Sequence, residues 1–236
     1  MAQLLFYEDV TPVSPQHHRD LCIERVDYSF ASNVNAVPLA AAEMAAAAAD
    51  YPIVFAGQTG NTMPVIILGL ERGKNQHVSD AGEWTTNYIP AFVQRYPFVF
   101  SQTDGGFMLC VDEQWAGCNR EGRGDRLFDE QGNRTEYLDG MMKFLGDSQV
   151  QAERTKVYCS HLTELGLLEP MQAEFTLSSG ENKSLGGFKA VNRQKVKELE
   201  PEKLAELSKT GELELTYVHL LSMNNLRRVP QLSTAQ

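Results

Sequence analysis

The sequence predicts an α+β protein, and three observations carry that prediction. A block occurs twice, Tyr51-Pro52-Ile53-Val54-Phe55 and Tyr96-Pro97-Phe98-Val99-Phe100, at a period of forty-five residues. Each copy follows a helical segment and precedes a second apolar run, Val65–Leu70 in one case and Phe107–Val111 in the other. Only short turn segments separate the paired runs, and a parallel sheet needs a longer crossover between strands. The αββ units therefore predict hairpins in an antiparallel sheet, with helices segregated to one side.

Taken in order, Gln3–Tyr7 reads as a short strand and Val10–Pro15 as an extended turn punctuated by proline. Residues 38–50 read as a helix, because Pro38 suits a first turn and the alanine run has high propensity. Tyr51-Pro52 ends it, since a proline disfavours helical geometry in the residue before it. Strands are expected at 52–56 and 64–70, around the turn cluster Gln58–Thr62. The second unit gives a helix at 89–96, a strand at 97–101, a turn at Thr103–Gly106 and a strand at 107–112.

Residues 113–134 carry no periodicity and read as a loop, with a small hairpin at Leu127–Tyr137. The longest helix is expected over about 136 to 165, with Thr135 as its N-cap. Its seam, Met141, Leu145, Ser148, Ala152, Thr155, Cys159 and Leu162, is small at the centre and admits a close neighbour. Gly140 and Gly146 weaken its first third. A hairpin follows, Met171–Leu177 and Lys183–Val191 around the turn Ser178–Asn182. Two helices end the chain, about 201–208 and 212–227, divided at Thr210-Gly211, before a frayed Pro230–Gln236. The whole is expected to form one domain, 1–236: a repeated αββ part at 3–112, an Arg/Gly loop at 113–134, and the long helix, hairpin and C-terminal helices at 135–228.

Composition sets the function classes. At 42% hydrophobic and 22% charged residues the 236-residue chain is ordinary for a soluble globular protein. A net charge of −10 argues against a nucleic-acid surface and against anionic lipid. No apolar run approaches the ~20 residues of a membrane span, and the N-terminus lacks a basic region, so a cytoplasmic location is expected. Cys22, Cys110, Cys118 and Cys159 form no C-x-x-C pair and are expected as reduced thiols.

Candidate chemistry is sparse. His18-Arg19-Asp20-Leu21 imitates a kinase catalytic loop, but Arg25 stands where its asparagine belongs and no glycine-rich loop precedes it, so His17 and His18 are read as flanking a surface turn. Arg120, Arg123 and Arg126, interleaved with Gly122 and Gly124, are able to wrap an anion. Glu121, Asp125, Asp129 and Glu130 in the same stretch are equally able to neutralise them, so an ion-paired loop and an anion site both stand. Trp84 and Trp115 sit in loops, as core anchors or as a binding edge. His77, His161 and His219 have no metal-ligand spacing; His219 reads as a half-buried histidine of the last helix. Cys110 and Cys118 have no histidine near in sequence, and Ser184–Phe188 lacks the Lys-Ser/Thr of a phosphate loop.

Several stretches together carry a resemblance: Leu4–Tyr7, Val34–Leu39, Tyr51–Phe55, Tyr88–Phe98, Leu167–Gln172, Leu185–Phe188 and Leu215–Leu220. In that order they resemble the bacterial SapC-like family, over residues 3 to 228. The resemblance implies a soluble bacterial protein of undefined activity, related to a protein of a surface-layer gene cluster. It is distinct from the peptide-transport permease that shares the name, and it implies no catalytic residues. The expectation is a non-enzymatic accessory or binding protein of a surface-layer, uptake or modification pathway, without cofactor or metal. It acts on an unidentified protein or small-molecule partner, with homodimerisation through the long helix or a sheet edge. The alternative is a small-molecule or peptide-modifying enzyme with a site near Arg120–Arg126. Trp115 and His219 complete the candidate ligand-binding residues in either case.

Overall fold

The computed structural model describes residues 5–58, 60–176 and 180–229. In chain order its strands and helices are β1 (Val10–Pro12), α1 (Pro15–His18), β2 (Cys22–Ile23), β3 (Ala36–Pro38) and α2 (Met44–Ala47). Then come β4 (Ile53–Ala56), β5 (Met63–Ile67), α3 (Ala91–Gln94), β6 (Phe98–Thr103) and β7 (Gly106–Asp112). After β8 (Cys118–Asn119) and β9 (Asp125–Arg126) runs the long helix α4 (Glu136–Glu164). The hairpin β10 (Leu168–Thr176) and β11 (Asn182–Val191) leads to α5 (Arg193–Lys197), α6 (Pro201–Thr210) and α7 (Glu212–Ser222).

The class is α+β, with antiparallel pairing in every sheet described. Both repeated hairpins form, β4–β5 and β6–β7, but they enter different sheets. The first joins a five-stranded sheet ordered β10-β11-β4-β5-β3, and the second a three-stranded sheet ordered β1-β7-β6. A third sheet, β8-β2-β9, is made of two-residue strands.

Four expectations shift. Gln3 and Leu4 lie outside the described residues, and Leu5–Tyr7 is not a strand. Tyr7 is instead an anchor, its buried hydroxyl donating to Phe98 O at 2.7 Å. The N-terminal strand falls at Val10–Pro12, where an extended turn was expected, because β7 offers it a ladder. The helix expected at 38–50 contracts to a 3-10 turn, Ala41–Glu43, followed by α2. Pro38 pairs with Val65 in β3–β5, so cross-strand pairing overrides the helix propensity of that stretch. At Leu127–Tyr137 the hairpin reduces to one bridge, Phe128 to Arg134, and Tyr137 enters α4. The turn expected at 178–182 lies partly, and the frayed end at 230–236 wholly, outside the described residues.

Helix α4 positions everything else. Thr135 Oγ1 accepts the Leu138 N–H, Glu136 and Asp139 occupy the first turn and His161 the last, each favourable to the helix dipole. At 1.5 Å per residue its 29 residues extend about 43 Å, unbroken at Gly140 and Gly146. Its N-terminal half supplies Leu138 and Leu145 to a core with Phe98, Val111, Trp115 and Leu127. Its C-terminal half supplies Tyr158, Cys159 and Leu162 to a core with Met44, Ile53, Phe55, Ile66 and Val196. Between them Thr155, fully buried, accepts the Ala41 N–H at 2.8 Å, which is the close approach that the small-residue centre of the seam allows. An aromatic bridge joins the cores, with Phe30 stacked on Tyr96 at 4.2 Å and Phe6 edge-on to Phe30 at 5.1 Å. Helices α6 and α7 turn on Gly211, whose φ of +78° lies in the left-handed region that favours glycine.

Candidate functional site

The Arg/Gly loop is built on β2, which holds β8 on one edge and β9 on the other. Asn119 shapes the loop: its Oδ1 accepts the N–H groups of Glu121 and Arg123, and its Nδ2 donates to Arg123 O. Gly124 has φ +80°, and a Cβ there would stand 2.2 Å from Ile23 O, so only glycine lets the loop close on β2.

Each arginine has an internal acid. Arg120 donates to Glu113 Oε2 at 3.1 Å and to His17 O at 3.0 Å. Arg123 donates to Glu24 at 2.8 Å and also meets Glu121, while Arg126 reaches Asp20 at 3.4 Å. The neutralising acids are therefore Glu113, Glu24 and Asp20 together with Glu121. Asp129 instead closes its own turn, accepting from Gln131 N, Asn133 N and Asn133 Nδ2, and the Asn133 bonds lead in holding its carboxyl below the usual range.

Glu113 is the hub of this region. Its Oε1 accepts from Thr11 Oγ1 at 2.8 Å and lies 3.1 Å from His18 Nε2. His18 is buried, not flanking an exposed turn, and its Nδ1 accepts the Ser14 N–H at 3.1 Å. Because the Glu113 carboxylate only accepts, Nε2 carries a proton and donates to it. Burial pushes the Glu113 carboxyl up, but the bonds from Thr11 and His18 and the Arg120 charge outweigh it and hold it below the usual range.

The other candidate residues lie elsewhere. Trp115 is buried, edge-on to Tyr96 at 5.4 Å and to Phe30 at 6.0 Å, an anchor of the core at the N-terminal half of α4. His219 is fully buried beside the core at the C-terminal half of α4, not half-buried, with Phe55 4.9 Å away. Its Nε2 accepts the Val191 N–H at 3.0 Å, so its Nδ1 donates to Ile53 O at 2.9 Å. His161 Nδ1 lies 2.9 Å from both Glu212 carboxylate oxygens, clamping α4 to α7. Neither histidine belongs to the core that carries the arginine loop. Trp84 donates from Nε1 to Tyr51 OH and Thr86 Oγ1, both at 2.8 Å.

The Cys110 and Cys118 thiols are held protonated. Cys118 donates to Asp112 O at 3.4 Å and Cys110 to Met108 O at 3.8 Å. Burial pushes the Cys118 thiol to about 12 and raises Cys110 as well. Among the described residues no group of three or more His, Cys, Asp or Glu side chains is arranged to hold a metal ion. Nor is any described helix long and apolar enough to cross a membrane.

One concavity was not signalled by the sequence. A groove of about 660 Å³ runs between the end of β1, strand β7, the Phe128–Arg134 turn and the first turns of α4. Val13, Pro15, Leu109, Phe128, Leu138 and Met142 give it apolar surface, and Asn133, Arg134 and Asp139 make about half of its lining polar. At its rim Arg134 Nε pairs with Asp139 at 2.8 Å, and Arg134 Nη1 meets Met142 Sδ at 3.7 Å. The signal that was available is the run Leu138, Met141, Met142 and Leu145, apolar over a wider arc of α4 than one seam requires.

Compared with known proteins, the chain matches no curated protein and no solved structure. The SapC family model matches it over residues 13–229, from the end of β1 to the last described residue. The chain is therefore a member of the SapC family.

Proposed function

We propose that this SapC-family protein is a non-enzymatic accessory or binding protein of a bacterial surface-layer, uptake or modification pathway, acting in the cytoplasm. Its ligand site is the groove at the N-terminal half of α4. The observation that carries this reading is the groove's own chemistry. Its lining is mixed, with apolar surface from Val13, Pro15 and Met142 beside polar surface from Asn133 and from Arg134 and Asp139, which pair with one another. Such a lining suits an amphipathic ligand or a peptide segment that offers apolar side chains to the floor and polar groups to the rim.

Native mass spectrometry of the protein purified gently from its own bacterium tests this. A co-purifying mass that is retained by the native chain and lost in Met142→Arg supports the groove. A mass bound equally by both places the ligand elsewhere.

A second reading, an anionic ligand on Arg120, Arg123 and Arg126, is favoured by one observation. The three side chains keep 53%, 50% and 46% of their surface exposed despite their ion pairs, so an anion has access to all of them. Phosphate titration followed by the backbone resonances of Glu121–Arg126 separates it from the groove.

A further inference from the structure

The two long outer edges of the sheets are treated differently by the sequence. Strand β10 is the edge of the five-stranded sheet, and it carries Glu169, Pro170 and Glu174 and a register shift between Met171 and Ala173. Charge, proline and bulge are the devices by which natural edges refuse a further strand. Strand β6 is the edge of the three-stranded sheet and has none of them. Its sequence is Phe-Val-Phe-Ser-Gln-Thr, and its register with β7 is continuous from Phe98–Val111 to Thr103–Gly106.

The hydrogen-bond phase of β6 shows which groups face outward. Asp112 N–H donates to Pro97 O, so residues 97, 99, 101 and 103 turn their backbone groups toward β7, and 98, 100 and 102 turn theirs away. At Phe98 both outward groups are used: its N–H donates to Arg95 O, and its carbonyl accepts from Tyr7. At Phe100 and Gln102 no hydrogen bond among the described residues reaches the outward groups. Residues 101–108 are exposed throughout, including Phe107 at 57% and Met108 at 38%. Phe107 lies against Phe100 at 6.0 Å between ring centres, extending the apolar face of the hairpin outward from Leu109.

We propose that the outer edge of β6 pairs with the same edge of a second copy about a two-fold axis through Ser101. Phe100 of each copy then exchanges both backbone hydrogen bonds with Gln102 of the other, and Ser101 faces Ser101 in a non-hydrogen-bonded pair. The charge pattern makes this edge the place where a second copy meets least repulsion. The chain carries −10, so two copies repel over most of their surface. From Phe98 to Val111 the only charged residue is Asp104. The two-fold register sets the two Asp104 groups at opposite ends of the pair, about 20 Å apart.

The register makes the test specific. Facing residues of a non-hydrogen-bonded pair have Cα atoms about 4.5 Å apart, within disulfide reach. The two Gln102 positions stand about 8 Å apart, beyond the ~7 Å limit. Ser101→Cys is therefore expected to form a covalent dimer under mild oxidation, and Gln102→Cys is not. Light scattering of the wild type at about 100 µM, where mass action favours association, is expected to give twice 26.3 kDa. Gln102→Pro, which removes only an outward N–H, is expected to return 26.3 kDa with an unchanged circular dichroism spectrum. A wild type of 26.3 kDa at that concentration overturns the proposal. So does a dimer that survives Gln102→Pro without cross-linking through Ser101→Cys, an outcome that moves the interface to α4 or to another partner surface.

Discussion

His219 makes the sharpest prediction, because its two bonds specify its charge. Nδ1 donates to a carbonyl and Nε2 accepts from an N–H, so a second proton would point at the Val191 N–H with no acceptor. Burial pushes its pKa down from the ordinary 6.5 to about 4, against the Ile53 bond, which acts upward. Because the folded value is the lower one, the unfolded chain binds the extra proton between about pH 6.5 and pH 4. Stability is therefore full above pH 6.5, falls as the pH drops through that window, and levels off below it. At pH 5 the loss from this one residue is about 2 kcal/mol relative to pH 7. His77, buried beside the Tyr51 ring and likewise pushed down to about 4 by burial, contributes a similar amount. Urea unfolding at pH 7 and pH 5 measures the sum. His219→Gln keeps a donor and an acceptor but cannot titrate, so its loss between the two pH values should be smaller than the wild type's by about 2 kcal/mol. An identical loss in both proteins, or a His219 imidazole that titrates near 6.5 by NMR, would refute the reasoning.

Two further outcomes follow from the arginine loop. Glu113→Ala leaves the buried His18 Nε2–H without its acceptor and should cost about 1–3 kcal/mol in urea unfolding, whereas Arg120→Ala, which breaks only an exposed pair, should cost under about 1 kcal/mol. Gly124→Ala forces a Cβ against Ile23 O at positive φ, and thermal melts should show a loss of about 1–3 kcal/mol, with the β2 resonances shifting before those of the five-stranded sheet.

What the sequence disclosed was whatever is encoded locally. The Tyr-Pro echo located both hairpins, Thr135 marked the start of α4, and Pro201 and Gly211 framed the last helices. The seam of α4 was legible because its spacing is a property of one helix. The small sheet around β2 was not, since two-residue strands show no alternation, and β1 exists only because β7 lies beside it. The alanine run illustrates the converse: its propensity was plain, but the β5 ladder that claims Pro38 is not visible in it. At the arginine loop the interleaved glycines were visible, while Glu24 and Asp20 lie about a hundred positions away in the chain. The groove draws its walls from four separate segments, so no window of sequence contains it.

Because α4 serves both cores with one uninterrupted ladder, it fixes their angular phase. One residue inserted near Ser148 would rotate everything beyond it by about 100°, turning Tyr158, Cys159 and Leu162 out of their core while Leu138 and Leu145 stayed in theirs. A seven-residue insertion nearly restores the angle but separates the cores by about 10 Å, stretching the aromatic bridge and pulling Thr155 from Ala41. The middle of this helix therefore tolerates substitution on its outer face but no change in length, and natural length variation in chains of this fold should fall in the loops at either end of it.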